Sequence, residues 1–190
     1  MNAGENGLVA VIVIGGFAGT GKTTLSKRLS AEFGIPRLSS DAIGRTVSRS
    51  QGIRDQRVNA IAIAYDVVFD LCAEFLQCGV SAILDVNMGW AFQWEHIDVL
   101  RDQQPAVKWV PILLRCPWEL CMERIRQRHA AEPTMSAPPE VYMTTPHILN
   151  VWTFLEQLKR PDVHVVDAAR SEDEVYASIK QYLTHIGLSP

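Results

Sequence analysis

An unbroken apolar run, LVAVIVI (Leu8–Ile14), passes directly into GGFAGTGKTT (Gly15–Thr24) and then into a stretch with helical spacing. Few local patterns narrow the possible folds as far. A strand with no polar residue must be covered on both faces, the condition of a strand inside a parallel sheet. The glycines that follow let the backbone curl so that successive N–H groups point inward. The helix behind them adds the positive end of its dipole. Gly16, Gly21, Lys22 and Thr23 satisfy the spacing G-x-x-x-x-G-K-[ST]. A loop of this kind surrounds phosphate oxygens with amides. The residues expected to do so are Gly16, Phe17, Ala18, Gly19, Thr20, Gly21, Lys22, Thr23 and Thr24. Lys22 is expected to reach the β- and γ-phosphates and Thr23 to offer its hydroxyl to Mg2+, so ATP with Mg2+ is the expected ligand.

The rest of the chain continues the alternation. Further apolar runs lie near Pro36–Ser39 and at Val80–Val86, Val107–Leu114 and Val163–Val166. Between them, helical periodicity covers Lys22–Phe33, part of Gln56–Gln77, Trp90–Arg101, Pro117–Ala130, a segment ending near Lys159, and Glu172–Ile186. Strand and helix in alternation imply right-handed crossovers and a parallel sheet with helices on both faces. The expected fold is therefore a three-layer α/β/α sandwich on a five-stranded parallel sheet, in one domain over residues 1–190. Two segments fit this pattern poorly: Gly44–Arg54, polar and arginine-rich, and AEPTMSAPPE (Ala131–Glu140), which reads as a proline-rich loop.

The 190 residues are 47% hydrophobic with a net charge of −3, enough for a real core and wrong for bulk attraction to a polyanion. No basic leader or membrane-length apolar run is visible, and four cysteines without metal spacing read as reduced thiols. A cytoplasmic protein, monomeric or homodimeric and without a membrane partner, is the expectation. A guanine-reading N-K-x-D motif is missing, an LSGGQ-like signature is missing, and the length leaves no room for the second helical domain of a ring-forming ATPase. A small kinase architecture remains, in which an acceptor sits opposite the nucleotide.

Ligands of such sheets gather beyond the carboxyl ends of the strands. Asp41, in RLSSDAIGR, and Asp85, in SAILDVNM, both fall there. On spacing alone Asp41 is equally a base for an acceptor hydroxyl and an N-cap for a helix over Ala42–Val47, a task Ser39 or Ser40 could share. Asp85 is expected to support Mg2+ directly or through water, and Asn87 to touch substrate or close an Asx-turn. Arg45, Arg49, Arg54 and Arg57 follow Asp41, with Asp55 as the opposing charge. Arg124 and Arg128, four apart on one helix face, are placed to close on the γ-phosphate, whereas Arg126 reads as solvated.

The segments GGFAGTGKTTLSKRLS, LSSDAIGR, AILDVN and ERIRQR, in this order, resemble the small P-loop kinases grouped with polynucleotide 5′-kinase, chloramphenicol phosphotransferase, gluconate kinase and the zeta toxins. The resemblance runs from Leu8 to about Ile179. It implies a nucleotide-kinase-like fold with a helical acceptor-side insert over about 41–78 and a lid over about 124–145. It also implies Asp41 as the base and Arg124 and Arg128 as lid cations. Many of these relatives carry an arginine three residues after the aspartate to grip an anionic acceptor; here that position is Gly44, with Arg45 one later. The expected reaction is ATP-dependent phosphorylation of a small-molecule hydroxyl, with Asp41, Arg45, Asp85 and Asn87 on the acceptor side. A long nucleic acid is not expected. A polynucleotide or nucleotide-sugar kinase, or an ATPase regulator without an acceptor, are the alternatives.

Overall fold

A computed structural model describes residues 8–50, 59–133 and 137–190. Arg54, Asp55 and Arg57 lie outside these residues, as does the middle of the proline-rich loop. Five parallel strands, β1 (Ala10–Gly16), β2 (Arg37–Ser39), β3 (Ala82–Asp85), β4 (Lys108–Arg115) and β5 (His164–Asp167), pair in the order β2-β3-β1-β4-β5. All seven residues of β1 are buried. Side chains alternate between the two faces of a strand, so complete burial means that both faces are covered. The architecture is the expected three-layer α/β/α sandwich of the P-loop kinase type.

The described helices are α1 (Lys22–Phe33), α2 (Ser40–Arg49), α3 (Ala60–Gln77), α4 (Ala91–Gln103), α5 (Trp118–Ala131), α6 (Pro139–Thr144), α7 (Pro146–Gln157) and α8 (Glu172–His185). α1 has the boundaries that its pattern predicts, with Gly34 as its left-handed C-cap at φ +64°. α8 begins with a capping box in which Ser171 and Glu174 satisfy each other's backbone amides.

Among the described residues each of the two poorly fitting segments is helical in part, while residues 132, 133, 137 and 138 of the proline-rich run are not in a helix. Gly44–Arg49 is the body of α2, and a Cβ on its Gly44 would stand 3.5 Å from the Ala64 side chain of α3. Its polar residues made the segment look unlike a helix, but Ile43 packs on the core while the arginines face outward. Pro139 and Pro146 stand in the first turns of α6 and α7, where the missing N–H costs nothing, so a proline-rich run supplies helix starts.

Registry sets up the site. Ile14 pairs with Asp85, Asp85 with Ser39, and Gly16 with Leu114, so the carboxyl ends of four strands meet along one rim. The interior beneath is dense, with Ile12, Ile14, Leu29, Ile83, Leu84 and Ile112 fully buried. Ile12→Ala, in the centre of β1, is expected to cost about 2–5 kcal/mol of unfolding free energy. Urea denaturation of the two proteins measures this directly.

Candidate active site

The backbone after β1 makes a tight cradle. Gly16, Gly19 and Gly21 have φ of +141°, +84° and +92°, and a Cβ on Gly19 would stand 2.6 Å from the Cys121 carbonyl oxygen. The amides of Ala18, Gly19 and Gly21 have no acceptor among the described residues. α1 has no side-chain cap and no acidic residue in its first turn, the opposite of α8. Amides without acceptors, a helix N-terminus with no side-chain cap and no acidic residue in that helix's first turn suit the binding of an anion.

Lys22 stands in the same cradle and donates to the Phe17 carbonyl at 2.9 Å, an oxygen that also accepts from the Thr20 hydroxyl at 2.8 Å. Burial pushes the Lys22 ammonium below lysine's ordinary value, while Asp85 and then Asp41 pull in the other direction. The charge is held in a poorly solvated place, where it attracts a phosphate more strongly than it would in water.

A cavity of about 630 Å3 opens over this cradle. Phe17 through Thr24, Asp41, Asp85, Asn87, Arg124 and Arg128 all line it, so nearly every residue expected at the site is brought to one space. Gly16 sits just beneath, its amide donating to the Asn87 carbonyl at 3.0 Å. A second cavity of about 680 Å3 adjoins the first, with Ser40, Asp41, Ile61, Asn87 and Tyr142 common to both. Arg45 belongs to the second, together with Ser48, Arg49 and Tyr65. Arg45 and Arg49 make no ion pair among the described residues.

Asp41 is spared the capping task. Ser39 is the N-cap of α2 and its hydroxyl takes the Ala42 amide at 3.4 Å. The Asp41 carboxylate is exposed, in the first turn, without a hydrogen bond among the described residues. Asn87 closes an Asx-turn through Oδ1 to the Gly89 amide at 2.9 Å and still borders both cavities. Burial raises the Tyr65 phenol to about 12, so it stays a neutral donor at the acceptor side; its partners Ser40, Gln93 and the Asn87 backbone oppose the shift. Arg124 donates to the carbonyls of Ala168 at 2.9 Å and Gly19 at 3.3 Å, bracing the loop, whereas Arg128 is exposed within the cavity.

Several lining residues went unmarked in the sequence. Tyr142, His147 and Ile148 come from α6 and α7, and His147 stacks on Trp90 at 6.4 Å between ring centroids. Phe17 joins Trp118 and Trp152 in an aromatic cluster with centroids 5.0–5.4 Å apart. Trp94, one turn beyond Trp90, is buried and donates to the Met88 carbonyl. Aromatic residues at helical spacing look the same whether they face a core or a cavity. Arg37 and Ser26, which hold Asp85, did leave a trace: Arg37 lies two residues from Ser39 in a strand, so on one face.

Comparison with known proteins agrees with this geometry. A family model described as an AAA domain matches residues 11–145. No curated protein matches the chain. Three solved structures align over nearly the whole length. A protein provisionally named a kinase, from Chloroflexus aurantiacus J-10-fl, is 24% identical, with 93% of this chain and 100% of that one covered and a TM-score of 0.64. A sugar kinase from Janibacter sp. HTCC2649 is 20% identical, with 97% of each chain covered and a TM-score of 0.64. A gluconokinase from Sinorhizobium meliloti 1021 is 18% identical, with 94% and 97% covered and a TM-score of 0.56. Beyond residue 145 the chain adds β5 to the same sheet, next to β4, as in a small kinase fold.

Gly19→Ala places a Cβ against backbone at a positive φ. Loss of nucleotide binding by at least about tenfold, with a lower melting temperature, is the expected outcome in calorimetry and thermal denaturation.

Proposed function

The chain belongs to the P-loop family described as an AAA domain, and from that premise we propose that it is an ATP-dependent kinase acting on a hydroxyl of a small molecule. The observation that carries this reading is the place of Asp41. Its uncommitted carboxylate stands on the shared wall of two joined cavities, one built on the phosphate cradle and the other on α2 and α3.

In phosphoryl transfer a protein mainly positions groups and balances charge. The amides from Phe17 to Thr24 and the Lys22 ammonium hold the triphosphate. Asp41 orients the acceptor hydroxyl and accepts its proton as the new P–O bond forms and the bond between the γ-phosphorus and the ADP leaving group breaks. Arg124 keeps the loop in place, and Arg128, exposed on α5 within the cavity, is placed to balance charge on the terminal phosphate. α2 and α3 supply the acceptor wall. Excluding water from this space favours the acceptor over hydrolysis.

The residues present suit Mg2+. The Thr23 hydroxyl and the Asp85 carboxylate offer hard oxygen donors at the cradle. An ion held there would take its other ligands from phosphates and water. Bound there, Mg2+ would neutralise charge on the β- and γ-phosphates.

The second cavity favours an acceptor with an acidic end. Arg45 and Arg49 lie one turn apart on α2 and are free of ion pairs among the described residues. Gly44 and Arg45 both line this cavity, and Arg45 is the one of the two that brings a charge to it. Ser48, Tyr65 and Asn87 add donors and acceptors for hydroxyls. A polyhydroxylated acid meets this set of groups. The names of the sugar kinase and gluconokinase of the same fold support that choice.

Asp41→Asn should lower turnover by about 10^2–10^4 while ATP affinity is unchanged, read by coupled ADP assay and calorimetry. Normal turnover in that variant would rule out its role. The double change Arg45→Ala/Arg49→Ala should raise KM for an acidic sugar acceptor by about tenfold or more without changing KM for ATP. A metabolite panel of sugar acids, neutral sugars and a 5′-hydroxyl oligonucleotide identifies the acceptor class; preference for the oligonucleotide would favour a polynucleotide kinase.

A further inference from the structure

Asp85 ends β3 in register with Ile14 on one side and Ser39 on the other, and one of its two carboxylate oxygens is already engaged. Oδ2 accepts from the Arg37 guanidinium and from the Ser26 hydroxyl at 3.0 Å. Arg37 Nε donates in turn to the same Ser26 oxygen at 2.7 Å, closing a three-membered ring of side chains. Asp85 is 4% exposed and Arg37 16%, so the ring is poorly solvated. It ties together β2, β3 and the second turn of α1.

Oδ1 of Asp85 has no partner among the described residues, and Asp85 lines the cavity beside Lys22. These are opposite charges in a common, weakly screened space, and Asp85 is the carboxylate that acts most strongly on the lysine. Yet Lys22 donates to the Phe17 carbonyl and makes no ion pair with Asp85. A carboxylate free to turn would be drawn to the ammonium, and a lysine paired in that way is a poorer phosphate ligand. Arg37 supplies the competing charge, with two donors directed at Oδ2 and Ser26.

We propose that Arg37 is a positioning residue for the nucleotide site: it holds Asp85 away from Lys22, keeping the lysine for phosphate and Oδ1 for a divalent cation. This rests on the reading of the cradle as a triphosphate site. It assigns Arg37 a task in ligand binding beyond that of a structural ion pair. A structural pair would affect stability alone, whereas here the effect on binding must pass through Asp85.

The test is ATP binding by calorimetry in excess EDTA, so that no metal takes part, on the wild type, Arg37→Met, Asp85→Asn and Arg37→Met/Asp85→Asn. Circular dichroism melts confirm that each is folded. Arg37→Met should weaken metal-free ATP binding by about tenfold or more, and adding Asp85→Asn should restore it to within about threefold of wild type. Unchanged affinity in Arg37→Met overturns the proposal. So does a double variant as weak as Arg37→Met, because Arg37 would then act independently of Asp85. Should Arg37→Met fail to fold, Arg37→Gln, which keeps donors and drops the charge, is compared with Arg37→Gln/Asp85→Asn on the same criteria. A wild type that binds no ATP in either EDTA or Mg2+ would refute the triphosphate site itself, a result distinct from the other two.

Discussion

Backbone amides without acceptors, crowded into the bend between β1 and α1, are the constraint on which the rest of the molecule depends. N–H groups without a protein acceptor stay open to water or to a ligand, and among the described residues several of them lie on this one bend. The residues around the bend hold it in this shape. Gly16, Gly19 and Gly21 adopt positive φ, Cys121 presses on Gly19, and Arg124 ties the Gly19 carbonyl to the turn after β5. α1 lacks the acid and the cap that α8 carries. Substituting a capped, acidic helix start there would produce an ordinary sheet-to-helix turn.

The acceptor side follows from which residue caps α2. Because Ser39 takes the Ala42 amide, Asp41 keeps a bare carboxylate one residue into the helix, on the wall between the cavities. The register of β2 and β3 places Asp85 beside Ser39, so two carboxylates face the phosphate cradle from neighbouring strand ends. They differ in what holds them: Asp85 is fastened by Arg37 and Ser26, and Asp41 is exposed. One fastened and one exposed carboxylate thus line the same cavity.

Local chemistry made the phosphate side legible in the sequence. LVAVIVI could satisfy its burial only as an interior strand, and β1 is buried at every position. The helix starting at Lys22 and capped by Gly34 has the bounds its residues predict. Elsewhere tertiary context overrode local pattern. Gly44–Arg49 looked like an irregular polar segment because its helical register shows only when α3 supplies a surface for Gly44 and Ile43. In the 131–140 run Pro138 is the N-cap of α6 and Pro139 its first residue, and a proline alone does not tell a loop from a first turn. The competition between Ser39 and Asp41 for the cap could not be decided from spacing, since both are good caps. Arg37 went unnoticed because its partner lies 48 residues away, a contact that strand order creates.

The central claim is that the bend after β1 grips a triphosphate whose terminal group faces Asp41. A crystal structure with a non-hydrolysable ATP analogue and Mg2+ examines it most directly. The account predicts phosphate oxygens within hydrogen-bonding distance of the Gly19, Gly21 and Lys22 amides and of Lys22 Nζ, with the γ-phosphate directed at the Asp41 carboxylate. An analogue bound elsewhere with the bend empty, or one seated in the bend while its γ-phosphate points away from Asp41, would contradict it.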